Sequence, residues 1–325
     1  MQAWWCESLD GVEALRWADK PTPEPGPGQV RIAVRAASLN FPDLLIVQGK
    51  YQFKPPLPFV PGSEFAGTID AVGEGVTGFK PGAPVAAING TGGFGTHACV
   101  DAKRVLPLPP GFPLEDAAAF AFTYGTSHHA LIDRAALKEG ETVLVLGAAG
   151  GVGTAAVQIA KAAGARVIAA ASTAEKCAFC RTLGADEAID YTNEDLRERL
   201  KALTGGKGPD VVYDPVGGAL AEPAFRSIAW RGRYLVVGFA AGDIPALPFN
   251  LPLLKGASIV GVFWGDFVAR EPGAFGAAMA QLAQWYAQGK VKPAIDAQLP
   301  MAELRQAYAR MGSRQVQGKI VMVNG

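Results

Sequence analysis

The stretch VLVLGAAGGVGTAAV, residues 143–157, constrains the fold more than any other part of the chain. Its apolar run breaks at Gly147, Gly150, Gly151 and Gly153 and resumes with helix-forming residues, so a buried strand turns sharply into a helix. The same texture repeats around it. LEDAAAFAFTYGTSHHALIDRAAL reads as a helix, TVLVLG as a strand, GVGTAAVQIAKAAG as a helix and ARVIAAAS as a strand. A helix over 174–183, the short strand EAID, a helix over 193–203 and the strands DVVYDPVG, GRYLVVGF and ASIVGVFWG complete the series. Strands alternating with helices predict an α/β domain with a doubly wound parallel sheet.

The first 110 residues read differently. VRIAVRAASL, EFAGTIDAVG, GAPVAAI, GTHACVDA and RVLPLP alternate apolar and polar positions between Gly and Pro, which predicts an irregular antiparallel β domain. PTPEPGPGQ is extended surface chain leading into it. From residue 266 the strand–helix alternation stops, leaving a helix over 272–288 and a strand-like finish, GKIVMVNG. A chain of 325 residues is long enough for two domains. The simplest division places residues 1–118 with 266–325, and inserts an α/β domain over 119–265.

Lys plus Arg and Asp plus Glu balance at 30 each, so no net field draws the chain to nucleic acid or an anionic membrane. The opening MQAWWCESLDG has neither a basic nor an apolar leader region, which points to the cytoplasm. Residues 143–160 are nearly uncharged, yet their glycine-rich middle reads as buried strand, loop and helix rather than a membrane span. Cys6, Cys99, Cys177 and Cys180 are too scattered for a disulfide framework. Cys177 and Cys180 form a C-x-x-C without the second pair that tetrahedral zinc needs; a redox dithiol is one reading and core packing the better one. His97, His128 and His129 have no metal-ligand company, so helix-surface or satisfied-core readings lead.

A strand, a glycine loop and a helix in sequence form a dinucleotide cradle: glycines allow the turn and bring backbone near a pyrophosphate. The strict G-x-G-x-x-G spacing is absent, but the context is right. At the end of the next strand, where NAD-binding chains carry an acid, this sequence has Ser172 and Thr173, with Lys176 opening the following helix and Tyr191 ending the next strand. Hydroxyls and an ammonium suit a 2′-phosphate, so the expected cofactor is NADPH rather than NADH.

With these residues in hand, the chain resembles the zinc-independent quinone oxidoreductase branch of the medium-chain dehydrogenase/reductases. The resemblance runs over nearly the whole sequence, through PGPGQVRIAVRAASLNFPDLLIVQGKY, PLPFVPGSEFAGTIDAVGEGV, AFTYGTSHHAL, the A-A-G-G-V-G loop, LGADEAIDY and GKIVMV. It implies a Rossmann domain inserted into a GroES-like irregular β-barrel. Zinc-dependent members carry Cys where this chain has Asn40, and His where it has Ser63, so no metal is expected. Without a Lewis acid, the acceptor must already be electrophilic.

The resemblance places Asn40 in the substrate pocket. It matches Tyr51 to a tyrosine near the substrate of enoyl-thioester reductases, so Tyr51 is a proton donor, a pocket wall or simply a packed ring. Ala149, Gly150, Gly151, Val152 and Gly153 take the pyrophosphate. By the same resemblance Thr126 is expected near the nicotinamide ribose, Gly238 and Phe239 where the cofactor passes, and Val262, Phe263 and Trp264 beside the nicotinamide. Arg314 matches an arginine that helps hold the 2′-phosphate. The family loop usually begins with Ala where Gly147 stands. The implied activity is hydride transfer from NADPH to a quinone, in a cytoplasmic homodimer that pairs through ASIVGVFWG. Reduction of an alkenal or enoyl thioester, and a low-turnover crystallin-like cofactor binder, are the alternatives.

Overall fold

A computed structural model describes residues 1–325. Two units emerge from its contacts: Met1–Phe122 with Ile295–Gly325, and Thr123–Ala294. The divide thus falls later than the sequence suggests at both ends, and residues 266–294 cluster with the inserted unit.

The chain starts with the antiparallel pair β1 (Gln2–Trp5) and β2 (Arg16–Asp19), then β3 (Gln29–Ser38), α1 (Phe41–Val47), β4 (Glu64–Val72), β5 (Pro84–Ile88), β6 (His97–Asp101), β7 (Val105–Pro107) and α2 (Leu114–Ala118). There follow α3 (Ala121–His128), β8 (Thr142–Leu146), α4 (Gly151–Ala162), β9 (Arg166–Ala171), α5 (Ala174–Thr182), β10 (Glu187–Asp190), α6 (Leu196–Leu203), β11 (Val211–Asp214), α7 (Ala221–Ser227), β12 (Arg233–Val236), α8 (Asn250–Lys255), β13 (Ser258–Gly261), α9 (Trp264–Arg270) and α10 (Pro272–Ala287). The chain closes with β14 (Ile295–Pro300), α11 (Leu304–Gly312) and β15 (Lys319–Val323).

In the first unit a seven-stranded sheet runs β14-β15-β3-β4-β5-β7, with β6 also paired to β3. The alternation in VRIAVRA buries Val30, Ile32 and Val34 on one face, as period-2 patterning requires. β15 lies antiparallel to β3, Val321 opposite Ser38, so the end of the chain builds onto the sheet made by its beginning. That register sets Lys319 close to the loop after β3.

In the second unit six strands lie in the order β10-β9-β8-β11-β12-β13, every pairing parallel. The order reverses between β8 and β11, and ligands of open α/β sheets bind at the carboxyl ends of strands at such a reversal. β8 ends in the glycine loop; β11 ends in Asp214-Pro215-Val216-Gly217. α4 is buried from Gly153 through Ala160, Thr154 and Gln158 included, which explains its apolar character. No helix is long and apolar enough to cross a membrane.

The sequence predicts one helix over 114–137. The structure breaks it: α2 stops at Ala118, α3 starts at Ala121, and a wider π-type turn runs from His129 to Arg134. The Phe122 N–H donates to the Glu64 carboxylate at 2.7 Å, so a side chain from β4 takes an amide at the break. α6 starts three residues later than the sequence suggests, where the Asp195 carboxylate accepts from the Glu198 N–H at 2.9 Å.

Candidate functional site

Each unit carries candidate residues of its own. In the second, the glycine loop is shaped by close approach. Gly147 has φ +58, and a Cβ there would sit 2.8 Å from Val216 Cγ2. A Cβ on Gly153 would run into the Gly147 carbonyl and lie 2.8 Å from Ala148 Cα. Ala149 and Gly153 are buried, Gly151 and Val152 half-buried, and Gly150 exposed. Gly150 caps α4 without any side-chain hydrogen bond. The first amides of a helix have no intrahelical partner and favour an anion, so this cradle fits a pyrophosphate.

The next strand end gathers the residues expected at the 2′-phosphate. Thr173 caps α5, its hydroxyl accepting from the Lys176 N–H at 3.2 Å. Tyr191 N–H donates to the Ala171 carbonyl at 3.1 Å, and Thr192 Oγ1 to the Ser172 carbonyl at 2.9 Å. Ser172, Thr173, Lys176 and Tyr191 therefore share the carboxyl end of the β9–β10 pair. Thr126 is buried on α3. Gly238 and Phe239 follow β12, and the Gly238 N–H reaches the Asp214 carbonyl at 3.3 Å. Val262 and Trp264 are buried after β13, whereas Phe263 is 55% exposed. The Trp264 indole packs on Gly125, whose missing Cβ would lie 2.8 Å from it.

Asp214, which no sequence motif marks, holds the β11 loop. One carboxylate oxygen accepts from the Val216 and Gly217 amides, each at 2.8 Å, and the other from the Tyr234 hydroxyl at 2.5 Å. Burial and this carboxylate push the Tyr234 phenol far above its ordinary range. Through Val216, the Asp214–Tyr234 pair bears on Gly147.

In the first unit, Asn40 caps α1 and is buried. It sits in a cluster of Ser38, Asp43, Ser63, Glu64 and Lys319. Lys319 Nζ donates to Asn40 Oδ1 at 2.5 Å and to the Leu39 carbonyl at 2.9 Å, and lies 4.0 Å from Glu64 Oε2. Asn40 Nδ2 has Ser38 O, Ser38 Oγ and Glu64 Oε2 at 3.4–3.5 Å. Asp43 accepts from the Asn40 N–H at 2.8 Å, the Ser63 N–H at 3.0 Å and the Ser63 hydroxyl at 2.5 Å. No group of three or more His, Cys, Asp or Glu side chains is placed to share an ion. The cluster thus combines the Asn40 amide, the Ser38 and Ser63 hydroxyls, the Asp43 and Glu64 carboxylates and the Lys319 amino group, with no thiolate and no imidazole.

Tyr51 is half-buried against the core of this unit, its phenol raised by burial and by the nearby Asp43. Arg314 is exposed at the end of α11, with φ +58. Sequence reasoning missed Lys319; a single lysine inside the apolar GKIVMV was the available signal, since a charge in a buried strand requires a partner.

Burial dominates Asp43, holding its carboxyl at about 6 against an ordinary 3.8 despite its donors and Lys319. The sign follows from proton counting. Between those values the folded chain keeps a proton the unfolded chain has released, so this group's contribution to stability grows as pH falls from 7 towards 4. Urea midpoints at pH 7 and pH 5 are expected to differ less in Asp43→Asn than in the wild type; equal differences would remove Asp43 as the cause.

The two buried histidines and the cysteines of α5 sit in packed surroundings. His128 Nε2 meets Gln281 Oε1 at 2.6 Å, and the His129 ring stacks on Phe267 with centroids 4.0 Å apart. Burial lowers both imidazoles below their ordinary value. Cys177 and Cys180 are free and buried on α5.

The chain matches the alcohol dehydrogenase GroES-like domain over residues 26–110 and the zinc-binding dehydrogenase family over residues 151–284. It is 38% identical to a quinone oxidoreductase-like protein 2 homolog of Nematostella vectensis, over 91% of this chain and 82% of that protein. Among solved structures, a probable oxidoreductase from Mycobacterium abscessus is 40% identical with a TM-score of 0.90, over 100% of this chain and 99% of that one. The quinone oxidoreductase of Thermus thermophilus, solved also as its complex with NADPH, is 35% identical with a TM-score of 0.86 over 100% of both chains. With its GroES-like and Rossmann units, the chain belongs to the quinone oxidoreductase branch of the medium-chain dehydrogenase/reductase superfamily.

Proposed function

We propose that this oxidoreductase works without a metal and passes hydride from NADPH to a quinone. The observation that carries the reading is the cluster around Asn40: an ammonium already occupies its centre, and neither Asn40 nor Ser63 supplies an anionic or imidazole ligand. The NADPH complex of the Thermus relative supports the cofactor. NADPH, when bound, supplies the hydride.

The chain's own residues bind and orient. The amides of Ala149–Gly153 hold the pyrophosphate, and Ser172, Thr173, Lys176 and Tyr191 hold the 2′-phosphate. Thr126, Gly238, Phe239, Val262, Phe263 and Trp264 line the nicotinamide end. Asn40 donates to the acceptor oxygen as charge develops on it.

Tyr51 favours a second reading, reduction of an activated alkene. Its phenol is kept protonated by burial and by Asp43, so it is a proton source for an enolate. Assays with NADPH or NADH against quinones, alkenals and enoyl thioesters separate the two. Quinone turnover with a roughly tenfold or greater preference for NADPH is expected, since a lost phosphate–cation pair costs about that much. Equal use of both cofactors would sink the 2′-phosphate assignment. Under the alkene reading, Tyr51→Phe removes enone reduction and spares quinone turnover.

We also propose a homodimer through β13. This edge strand pairs only with β12 and is mostly exposed, and Ile259, Leu253, Leu254 and Phe249 on and before it are 43%, 78%, 70% and 89% exposed. A bare apolar edge invites pairing with a copy of itself. Light scattering should report a dimer that Ile259→Lys converts to a monomer; a monomeric wild type would refute the pairing.

A further inference from the structure

We propose that Lys319 is the positioning residue for Asn40, locking its carboxamide so that Asn40 meets the acceptor only as a hydrogen-bond donor. This rests on the reading that Asn40 touches the acceptor. Lys319 is the one lysine or arginine among the buried residues. Its Nζ reaches Asn40 from the far end of the chain, because β15 pairs with β3 and Asn40 lies two residues past the end of β3. A carboxamide can be flipped, presenting either oxygen or nitrogen. Here Oδ1 is occupied by a charged donor at 2.5 Å, the shortest bond Asn40 makes, so the flipped form would set an NH2 group against an ammonium.

The donor side is held differently. The acceptors near Nδ2 stand at 3.4–3.5 Å, the outer limit for a hydrogen bond. Such weak bonds are readily exchanged for a short one to an oxygen that gains charge. The ammonium on Oδ1 also withdraws electron density from the amide, which makes Nδ2–H a stronger donor. Glu64 and Leu39 complete the arrangement: the Leu39 carbonyl takes a second Nζ–H, and the Glu64 carboxylate balances the buried charge from 4.0 Å. The cation therefore acts through the amide without coordinating the acceptor.

The test is steady-state turnover of NADPH with 1,4-benzoquinone, together with NADPH affinity by fluorescence, for Lys319→Met, Lys319→Arg, Asn40→Ala and the double variant Lys319→Met/Asn40→Ala. Lys319→Met should lower kcat roughly 10- to 100-fold, less than the roughly 100- to 1000-fold loss when an oxyanion donor is removed outright, and leave NADPH affinity within about twofold. Lys319→Arg, which keeps a charged donor, should restore most of the loss. The double variant should be no slower than Asn40→Ala alone, because two residues acting as one unit do not multiply. Because Lys319→Met strands the Glu64 carboxylate, the same comparison is made in a Glu64→Gln background, where the buried charge is removed together with its partner.

Losses that multiply, or a Lys319→Met enzyme with wild-type kcat, overturn the proposal while leaving Asn40 in place. An Asn40→Ala enzyme with full turnover removes Asn40 from the acceptor, and the role of Lys319 falls with that earlier reading.

Discussion

Gly153→Ala is expected to cost the protein most of its affinity for NADPH. The added methyl would run into the Gly147 carbonyl and press on Ala148, all of it backbone that has no rotamer to give. Gly147 is itself fixed, with a positive φ on one side and Val216 on the other. The loop must therefore open, and the amides that would face the pyrophosphate move with it. Overpacking of this kind costs about 1–3 kcal/mol in stability. Binding should suffer more, by roughly tenfold per lost charge-assisted bond. Gly276→Ala, at an open position inside α10, is the control, since a Gly→Ala change in the middle of a helix stabilises by about 0.5–1 kcal/mol. Fluorescence titration with NADPH and a thermal melt read both quantities. A Gly153→Ala protein that binds NADPH within about twofold of wild type would mean that the cradle does not need this close approach.

The second large effect is expected from Asp214→Ala. This buried side chain accepts from two amides and one phenol. Each buried donor left unpaired costs about 1–3 kcal/mol, so a total of about 4 kcal/mol is reasonable. For a unit of this size that corresponds to a melting point lower by roughly 10 °C. Tyr234→Phe removes only the phenol and should cost about 1–2 kcal/mol. The Asp214→Ala variant should also weaken NADPH binding, because the Asp214 loop carries Val216 against Gly147. A melting point within about 2 °C of wild type would show that the loop holds its shape without the carboxylate.

How much of this is legible in the sequence depends on how local the cause is. The strands VRIAVRA, EFAGTID and TVLVL declare themselves through period and burial, and the glycine loop through its place between strand and helix. Asn40, Ser63 and Ser172 are readable as substitutions at positions where other chemistry is expected. Features set by distant partners are not. The break before α3 depends on Glu64, which lies 58 residues earlier. The hairpin of β1 and β2, α1, and the short helices α8 and α9 are too brief for periodicity to separate from loop. β14 and α11 merge into an undivided tail. Lys319 and Asp214 carry no motif, because the bonds that give them meaning close only in the assembled units. Gly147 looks like a tolerated variant in the sequence; its φ and its contact with Val216 make a side chain there unfavourable.

One small knot of hydrogen bonds governs how the inserted unit can be carried by the rest of the chain. The Tyr124 hydroxyl donates to the Lys292 carbonyl at 2.6 Å, Gln158 Nε2 donates to the same carbonyl at 3.0 Å, and the Lys292 N–H donates to Gln158 Oε1 at 2.7 Å. Tyr124 is the second residue of the inserted unit and Lys292 the third from its end. Its two ends are thus stitched together by its own fold. A flexible segment of that length would impose on the split first unit a closure entropy that grows with the logarithm of loop length. A folded insert with joined ends behaves instead as a tight turn, so the β14, α11 and β15 tail is delivered to the sheet it completes as though it followed Phe122 directly.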